Sequence, residues 1–110
     1  MRKVAIVGSR NFRSKEAVFN FVSGLPGDAE IVSGGAKGPD SWAVEAAGGR
    51  AVTVYPAEWE KWGRSAGFRR NQLIVDHCDE LFAFWDGLSR GTLDSIQRAS
   101  RAGKLKGIFV

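Results

Sequence analysis

The chain has 110 residues, of which 44% are hydrophobic and 25% charged, and its formal net charge is +4. This length accommodates one domain with a modest core and excludes a separate catalytic domain. The positive charge favours an anionic partner, and both a nucleotide and a nucleic acid meet that description.

The cysteine and histidine content limits the chemistry further. Cys78 and His77 are the single residues of their types, which excludes a disulfide framework and the ligand spacing of a metal site. We therefore predict neither a metal nor a cofactor. Too few apolar residues follow Lys3 for a signal peptide, and no apolar stretch has the length of a membrane span. We expect a cytoplasmic protein without a membrane partner.

Short apolar runs alternate with helical patterns from one end of the chain to the other. The runs predicted to form strands are residues 3–8, 29–33, 51–55, 80–84 and 105–110. They are nearly continuous in apolar residues, which is typical of parallel strands covered by helices on both faces.

Four helices are predicted between these strands. Ser14 caps the first, which Pro26 ends, and the second runs from Pro39 to about residue 47. The third carries residues 68–75, and the fourth runs from about residue 92 to 102.

The alternation predicts an α/β fold, a Rossmann-like doubly wound parallel sheet of about five strands inside a three-layer αβα sandwich. Right-handed crossovers make 3-2-1-4-5 a plausible strand order. Ligands of such sheets bind outside the carboxyl ends of the strands, near the point where the winding reverses. The loops that follow the strands are therefore the candidate functional segments.

A glycine-rich turn follows the second predicted strand. Residues 33–40 read Ser-Gly-Gly-Ala-Lys-Gly-Pro-Asp, with three glycines inside the turn. Glycines allow positive φ and let backbone N–H groups converge on an anion, and Pro39 suits the first position of a helix whose dipole favours that anion. Lys37 adds positive charge at the rim. Alone, the turn would equally serve as a connector, but the other loops at this edge favour a phosphate site.

The loops after the first and fourth predicted strands have related chemistry. Gly8, Ser9 and Arg10 follow the first strand, where they are placed to clamp a second phosphate or a ribose. Gly91 and Thr92 lie where the fourth helix begins, so a glycine and a hydroxyl again meet a helix dipole. The plainer alternatives are a surface position for Arg10 and a simple helix cap at Thr92.

The long connection after the third predicted strand, residues 56–71, combines aromatic rings, carboxylates and arginines. A connection of this length in a small domain is usually functional. We expect at least one of its arginines to face the ligand, because guanidinium groups bind phosphate oxygens in a planar, bidentate way. Trp59 and Trp62 would stack on a base or, alternatively, cover a sheet edge or a dimer contact.

Two sets of candidate site residues follow. The predicted ligand-binding residues are Gly8, Ser9, Arg10, Gly34, Gly35, Lys37, Gly38, Asp40, Arg69, Arg70, Asn71, Gly91 and Thr92. The candidates for catalysis are Arg70, Asp40, Glu58 and Asp86. No pair of these carboxylates has a recognisable acid/base spacing, and no Ser/His/Asp or Cys/His arrangement is present.

Four segments together resemble a known family. They are Val-Ala-Ile-Val-Gly-Ser-Arg at 4–10, the turn at 33–40, Gly-Phe-Arg-Arg-Asn at 67–71 and Gly-Thr at 91–92. This set resembles the SLOG (SMF/DprA-LOG) superfamily, in particular its small YspA-type, cpYpsA-related members. The resemblance implies a single SLOG-type nucleotide-binding domain over residues 1–110, with a Rossmann-like sheet, and a homodimer as the oligomeric state.

The LOG branch of this superfamily hydrolyses the N-glycosidic bond of cytokinin nucleoside monophosphates, with an arginine and with the glutamate of P-G-G-x-G-T-x-x-E. Arg70 resembles that arginine in its position ahead of the fourth predicted strand, and Gly91 and Thr92 match the Gly-Thr. The glutamate position holds Ser95, and the adjacent Asp94 would project about 100° away around the helix. The resemblance therefore implies binding rather than LOG-type hydrolysis.

In the DprA branch, a Ser-Gly-Gly-Ala-Arg-Gly-x-Asp turn that resembles residues 33–40 belongs to a protein that binds single-stranded DNA. DprA proteins are larger, however, and this chain has no separate basic tract or evenly spaced aromatic residues to follow several nucleotides.

The leading prediction is a domain that binds or senses a nucleotide or nucleotide-derived small molecule, such as a nucleoside monophosphate or an ADP-ribose-like ligand. One alternative is a LOG-like hydrolase, in which Arg70 clamps phosphate while Asp40, Glu58 or Asp86 assists departure of the base. The other alternative is DprA-like binding of single-stranded nucleic acid.

Overall fold

The computed structural model of the protein describes residues 2–110. Its elements in chain order are β1 (Lys3–Gly8), α1 (Lys15–Ser23), β2 (Glu30–Ser33), α2 (Pro39–Ala46), β3 (Val52–Val54), α3 (Trp59–Trp62), a 3-10 turn (Gly63–Ser65), α4 (Ala66–Asp76), β4 (Glu80–Phe84), α5 (Arg90–Arg101) and β5 (Leu105–Phe109). No helix in this part of the chain is long and apolar enough to cross a membrane.

The five strands form one parallel sheet in the order β3-β2-β1-β4-β5. The predicted Rossmann-like α/β fold and its strand order are therefore confirmed. The winding reverses between β1 and β4, which are paired from Val4 and Glu80 to Gly8 and Phe84. The carboxyl ends of these two strands, together with that of β2, form the edge where a ligand is expected.

The core has two halves, one on each face of the sheet. Val4 and Ile6 of β1 pack with α1 and α2, whereas Ala5 and Val7 pack with α4 and α5. Because successive strand residues point to opposite faces, a strand buried on both sides must be apolar at every position. This explains the continuous apolar run of β1 and gives the predicted three-layer arrangement.

The edge strands depart from the prediction that all five strands are covered on both faces. β3 has only three residues, and its last two are exposed. In β5, Ile108 and Phe109 are 44% and 39% exposed. The two helices on each face cover the central strands and leave the sheet margins open, so an apolar run alone overestimates burial at an edge.

The helix ends follow local chemistry. The side-chain oxygen of Ser14 accepts a hydrogen bond from the Ala17 amide at 3.0 Å, as the predicted cap requires. Helix α2 begins at Pro39, at the end of the glycine-rich turn. Helix α4 begins at Ala66, two residues before the predicted start, and the short helix α3 precedes it within the predicted connection. Four residues are too few to show a helical period in the sequence.

Candidate functional site

The glycine-rich turn between β2 and α2 presses against the loop after β1. Gly35 and Gly38 have φ of 70° and 93°, where other residues are strained. A Cβ at Gly38 would lie 2.9 Å from the carbonyl oxygen of Ser9 and 3.1 Å from the Cα of Arg10. The turn is therefore shaped by close backbone packing as well as by its left-handed residues.

Asp40 lies in the first turn of α2 and is buried, with 4% of its surface exposed. One carboxylate oxygen accepts the Gly8 amide at 3.2 Å, and the other accepts the Gly34 amide at 3.0 Å. Burial raises the pKa of Asp40 to about 6, while Arg70 and the two amides act in the opposite direction. The carboxylate therefore ties together the carboxyl ends of β1 and β2.

Phosphate binding by the glycine-rich turn stays a prediction, but several of the amides expected to bind the phosphate have partners within the protein. The amides of Gly34 and Gly8 donate to a carboxylate of the protein itself, which occupies the place expected for the ligand's anion. The Gly35 amide donates to the Ser33 hydroxyl at 3.1 Å. The glycine-rich turn thus satisfies these amides internally.

Arg70 projects from α4 onto the same turn. Its Nη1 donates to the Gly34 carbonyl oxygen at 2.8 Å, and its Nε donates to Oδ1 of Asn71 at 3.1 Å. A Cβ at Gly34 would lie 2.5 Å from Nη1 of Arg70 and 2.8 Å from Oδ2 of Asp40, so any larger residue there would force these side-chain ends to move. The other N–H groups of the guanidinium remain for a ligand.

Asn71 connects Arg70 to α5. Its Nδ2 donates to the Gly91 carbonyl oxygen at 3.2 Å and to Oδ2 of Asp94 at 3.1 Å. Asp94 in turn accepts from Nε of Arg98 at 2.7 Å. Both ends of the Asn71 amide are therefore engaged, and this residue positions Arg70 and the start of α5.

The N-terminus of α5 carries a dense set of hydroxyl contacts. Ser89 caps the helix by accepting the Thr92 amide at 3.3 Å. The Ser9 and Thr92 hydroxyls are 3.1 Å apart, and the Ser9 hydroxyl accepts the Asp86 amide at 3.1 Å. These side chains therefore stabilise the loop. The amides of Arg90 and Gly91 precede the capped position and have no partner within the helix, so they are suited to an anion.

These elements surround a cavity of about 280 Å³ at the carboxyl edge of the sheet. Its lining comprises Val7, Gly8, Ala36, Asp40, Trp59, Arg64, Gly67, Phe68, Arg70, Asn71, Ser89, Gly91, Thr92 and Ser95. We call it the main cavity. Two arginines, the start of α5 and two aromatic rings thus face one space.

The structure brings about half of the predicted residues together. Those in the lining of the main cavity are Gly8, Asp40, Arg70, Asn71, Gly91 and Thr92. Those outside the lining are Ser9, Arg10, Gly34, Gly35, Lys37, Gly38 and Arg69. Ser9, Gly34 and Gly38 are buried behind the wall, whereas Arg10, Gly35 and Lys37 are exposed on the surface.

Two carboxylates predicted to take part in catalysis lie outside the main cavity. Asp86 accepts the amides of Leu88 and Ser89, each at 2.8 Å, and these bonds lower its pKa. It shapes the turn that precedes α5. Glu58 lies just before α3 and faces Lys61 at 3.9 Å. Neither side chain is placed to assist departure of a base from a ligand in the main cavity.

Trp59, which the sequence suggests as a ring for base stacking, lines the main cavity. Arg64 and Phe68 belong to the same connection and also line the cavity, although the sequence did not single them out as site residues. Ser95 lies one turn beyond Thr92 and also lines the cavity. The position that resembles the LOG glutamate therefore lines the main cavity with a hydroxyl, while the Asp94 carboxylate bonds to Asn71 and Arg98.

A second depression, of about 110 Å³, lies on the other side of Arg70. Its lining comprises Tyr55, Pro56, Glu58, Trp62, Ala66, Arg69, Arg70 and Leu73. The guanidinium carbon of Arg69 lies 3.9 Å from the centre of the Trp62 ring. Arg69 and Glu58, predicted as site residues, therefore belong to this depression.

The structure gives His77 and Cys78 no part in the main cavity. Cys78 is buried and burial raises its pKa to about 11, so its thiol stays protonated near neutral pH. The His77 ring stacks on Tyr55 with centroids 5.2 Å apart. Across residues 2–110, no three His, Cys, Asp or Glu side chains cluster as metal ligands would.

Comparisons with known proteins identify the fold. No family model matches the chain, and no curated protein matches it. A solved structure of DNA processing protein A (DprA) from Helicobacter pylori, studied for its mode of single-stranded DNA binding, superposes with a TM-score of 0.72 and 24% identity. The match covers 96% of this chain but 64% of that chain, so this chain spans less than two thirds of the neighbour's length. The chain therefore shares the Rossmann-like fold of DNA processing protein A over nearly all of its residues.

Proposed function

We propose that the main cavity binds one nucleotide unit of single-stranded DNA. The observation that carries this proposal is the meeting of Arg64, Arg70 and the first turn of α5 in one cavity with the exposed rings of Trp59 and Phe68. Such a site combines groups for a phosphate with rings for a base. We also propose that the chain is a distant relative of the DprA branch, while its YspA-type assignment and its homodimer stay predictions.

The phosphate side of the site depends on the arginines and α5. Arg64 is exposed and lines the cavity, and Arg70 keeps guanidinium N–H groups beyond those bonded to Gly34 and Asn71. The Gly91 amide adds a donor at the positive end of the α5 dipole. The net charge of +4 further favours a polyanion.

The base side depends on two rings. Trp59 is 60% exposed and Phe68 is 46% exposed, although both line the cavity. Stacking on such rings contributes about 1–3 kcal/mol per base and tolerates any sequence. A base that stacks on these rings would cover apolar surface that is now exposed.

The fold neighbour supports the DNA alternative over a free nucleotide. DNA processing protein A from Helicobacter pylori was studied for single-stranded DNA binding, and it aligns with 96% of the present chain. The cavity of about 280 Å³ is close to the lower end of the range for small-molecule pockets, so it accommodates one unit while the rest of a strand lies outside.

The same volume favours a second candidate, the free nucleotide that the sequence suggests first. A nucleoside monophosphate or an ADP-ribose-like ligand would use the same arginines and rings. Hydrolysis of such a ligand is less favoured, because Asp40 is the one carboxylate among the described residues of the cavity lining, and it is already held by two amides.

Fluorescence anisotropy with labelled oligothymidine of about 10 nucleotides, compared with thymidine 5′-monophosphate, tests the proposal. Arg64→Ala removes a cavity arginine whose side chain makes no hydrogen bond or ion pair within residues 2–110. Arg101→Ala is the control, because it removes the same positive charge from the last turn of α5, outside the main cavity. We expect Arg64→Ala to weaken oligonucleotide binding about tenfold and to reduce the salt dependence by about one phosphate.

The control variant should bind nearly as wild type does, because a distant charge contributes only through the overall field. Equal losses in Arg64→Ala and Arg101→Ala would contradict a site at the cavity. Tight binding of the monophosphate with no gain for the oligonucleotide would favour the second candidate instead.

A further inference from the structure

We propose that the second depression seats the base of the adjoining nucleotide, so that a single strand crosses Arg70 from one seat to the next. This inference rests on the proposed function of the main cavity and extends it to a second subsite. The residues that carry it are Arg70, Arg69, Trp62 and Glu58.

The two spaces adjoin at a single side chain. Arg70 lines the main cavity and also lines the second depression. Its Nη1 and Nε are anchored to Gly34 and Asn71, so the guanidinium is fixed between the two spaces. A phosphodiester that links two nucleotides would meet the remaining N–H groups at this point, with one base on either side.

The second depression offers a flat surface for a ring. The guanidinium of Arg69 lies over the Trp62 ring at 3.9 Å, and its Nε donates to the Ser65 hydroxyl at 3.0 Å. A planar guanidinium stacked on an aromatic ring is itself a surface on which a base stacks. Trp62 is 41% exposed and Leu73 is 43% exposed, so apolar surface is left for a base to cover.

The carboxylate of Glu58 indicates which part of a nucleotide enters. Glu58 lines the depression and its side chain is 60% exposed, with Lys61 no closer than 3.9 Å. A carboxylate in the wall repels a phosphate but accepts the N–H groups of a base. The depression therefore fits a base, and the phosphate belongs over Arg70.

The test compares thymidine 5′-monophosphate with the 5′-phosphorylated trithymidine nucleotide by calorimetry. The ratio of the two dissociation constants measures the gain from additional nucleotides, and we expect at least about tenfold for the wild-type protein. Trp62→Leu removes the π face and should reduce this gain to about threefold or less, with monophosphate affinity unchanged. Trp62→Phe keeps a ring and should retain most of the gain.

Arg69→Gln provides an independent variant, since its side chain contacts Ser65 and Trp62 and lies outside the main cavity. It should also reduce the gain without changing monophosphate binding, and retained monophosphate binding shows that each variant is folded. A gain that stays at the wild-type value in both Trp62→Leu and Arg69→Gln overturns the second seat while the proposed function stands.

Glu58→Gln distinguishes a base from a phosphate in the depression. Trinucleotide affinity that stays equal or falls supports a base seat. An affinity that rises several-fold, with monophosphate binding unchanged, would show that a phosphate occupies the depression, and this result overturns the inference. If the wild-type protein binds neither ligand, the proposed function fails first and the second seat fails with it.

Discussion

Replacing Asp40 with asparagine separates the charge of the buried carboxylate from its shape. In the wild-type protein the carboxylate accepts the amides of Gly8 and Gly34, and burial raises its pKa to about 6 from an ordinary value of 3.8. The asparagine side chain would keep one acceptor oxygen but could not take up a proton. Any difference in pH dependence between the two proteins therefore reports the ionisation of this one group.

The sign follows from proton linkage. A raised pKa means that the folded state binds a proton more tightly than the unfolded chain does, so the wild-type protein gains stability as the pH falls through about 6 toward 3.8. The pKa of Asp40 in the folded protein and its ordinary value differ by about two units. Each unit of pKa difference corresponds to about 1.4 kcal/mol of stability. The free energy of unfolding of the wild type, minus that of Asp40→Asn, should therefore rise by about 2.5 kcal/mol between about pH 8 and pH 4, and approach about 3 kcal/mol only when the pH is below both pKa values.

Urea unfolding followed by tryptophan fluorescence measures this difference. The other carboxylates titrate in both proteins, so their contributions cancel in the subtraction, and equal m-values would show that the same surface unfolds. Any loss of a hydrogen bond in Asp40→Asn adds an offset that does not change with pH. Binding gives a second readout, because a neutral Asp40 no longer repels a phosphodiester, whose own charge is constant over this range.

A difference that stays flat with pH would refute the dominance of burial at Asp40. A difference that falls as the pH falls would show that Arg70 and the two amides outweigh burial and hold the pKa below 3.8. In the binding experiment, oligothymidine affinity should increase more steeply below about pH 6 in the wild type than in Asp40→Asn, because the other carboxylates titrate in both proteins.

Further predictions concern the walls of the main cavity. Gly34→Ala should displace the Arg70 guanidinium, which should lower the free energy of unfolding by about 1–3 kcal/mol and weaken DNA binding. Gly49→Ala is the control, because a Cβ there would meet no other atom, and it should change neither the unfolding curve nor the anisotropy titration. Ser89→Ala removes the α5 cap and should cost about 1 kcal/mol in urea unfolding. Ser95→Glu adds a negative charge to the cavity and should weaken oligonucleotide binding about tenfold, with Ser95→Gln as the neutral control; equal losses would point to crowding rather than charge.

Much of the fold could be predicted from periodicity because the central strands are buried on both faces. Every position of a run such as Val4 to Val7 must be apolar, and such a run is hard to mistake. The helix starts at Ser14 and Pro39 were also predictable, since a cap and an N1 proline act locally. Exposure of the edge strands depends on how far the helical layers extend, and local sequence does not encode that extent.

The sequence predicted the place of the candidate site better than it predicted which side chains line the cavity and which support it. The carboxyl edge follows from strand order, and Arg70 and Gly91 do line the cavity there. The engagement of Asn71 and Ser9 in internal hydrogen bonds was not predictable, because each depends on a partner on another element of the fold. A single sequence does not distinguish a polar residue that contacts a ligand from one that holds the site in place through internal hydrogen bonds.

Asp40 is the clearest case of a predicted site residue whose hydrogen bonds are made within the protein. A glycine-rich turn before a helix suggests an anion seat, and the structure does place a carboxylate against two strand-end amides, but the carboxylate is the protein's own. A phosphate that bound there would have to displace a group attached to the same helix. We therefore expect a phosphate to bind near Arg64, the unbonded N–H groups of Arg70 and the start of α5, all of which line the main cavity. Asp40 thus sets the shape of the turn, and under the proposed function its ionisation would also change the affinity of the main cavity for a phosphate.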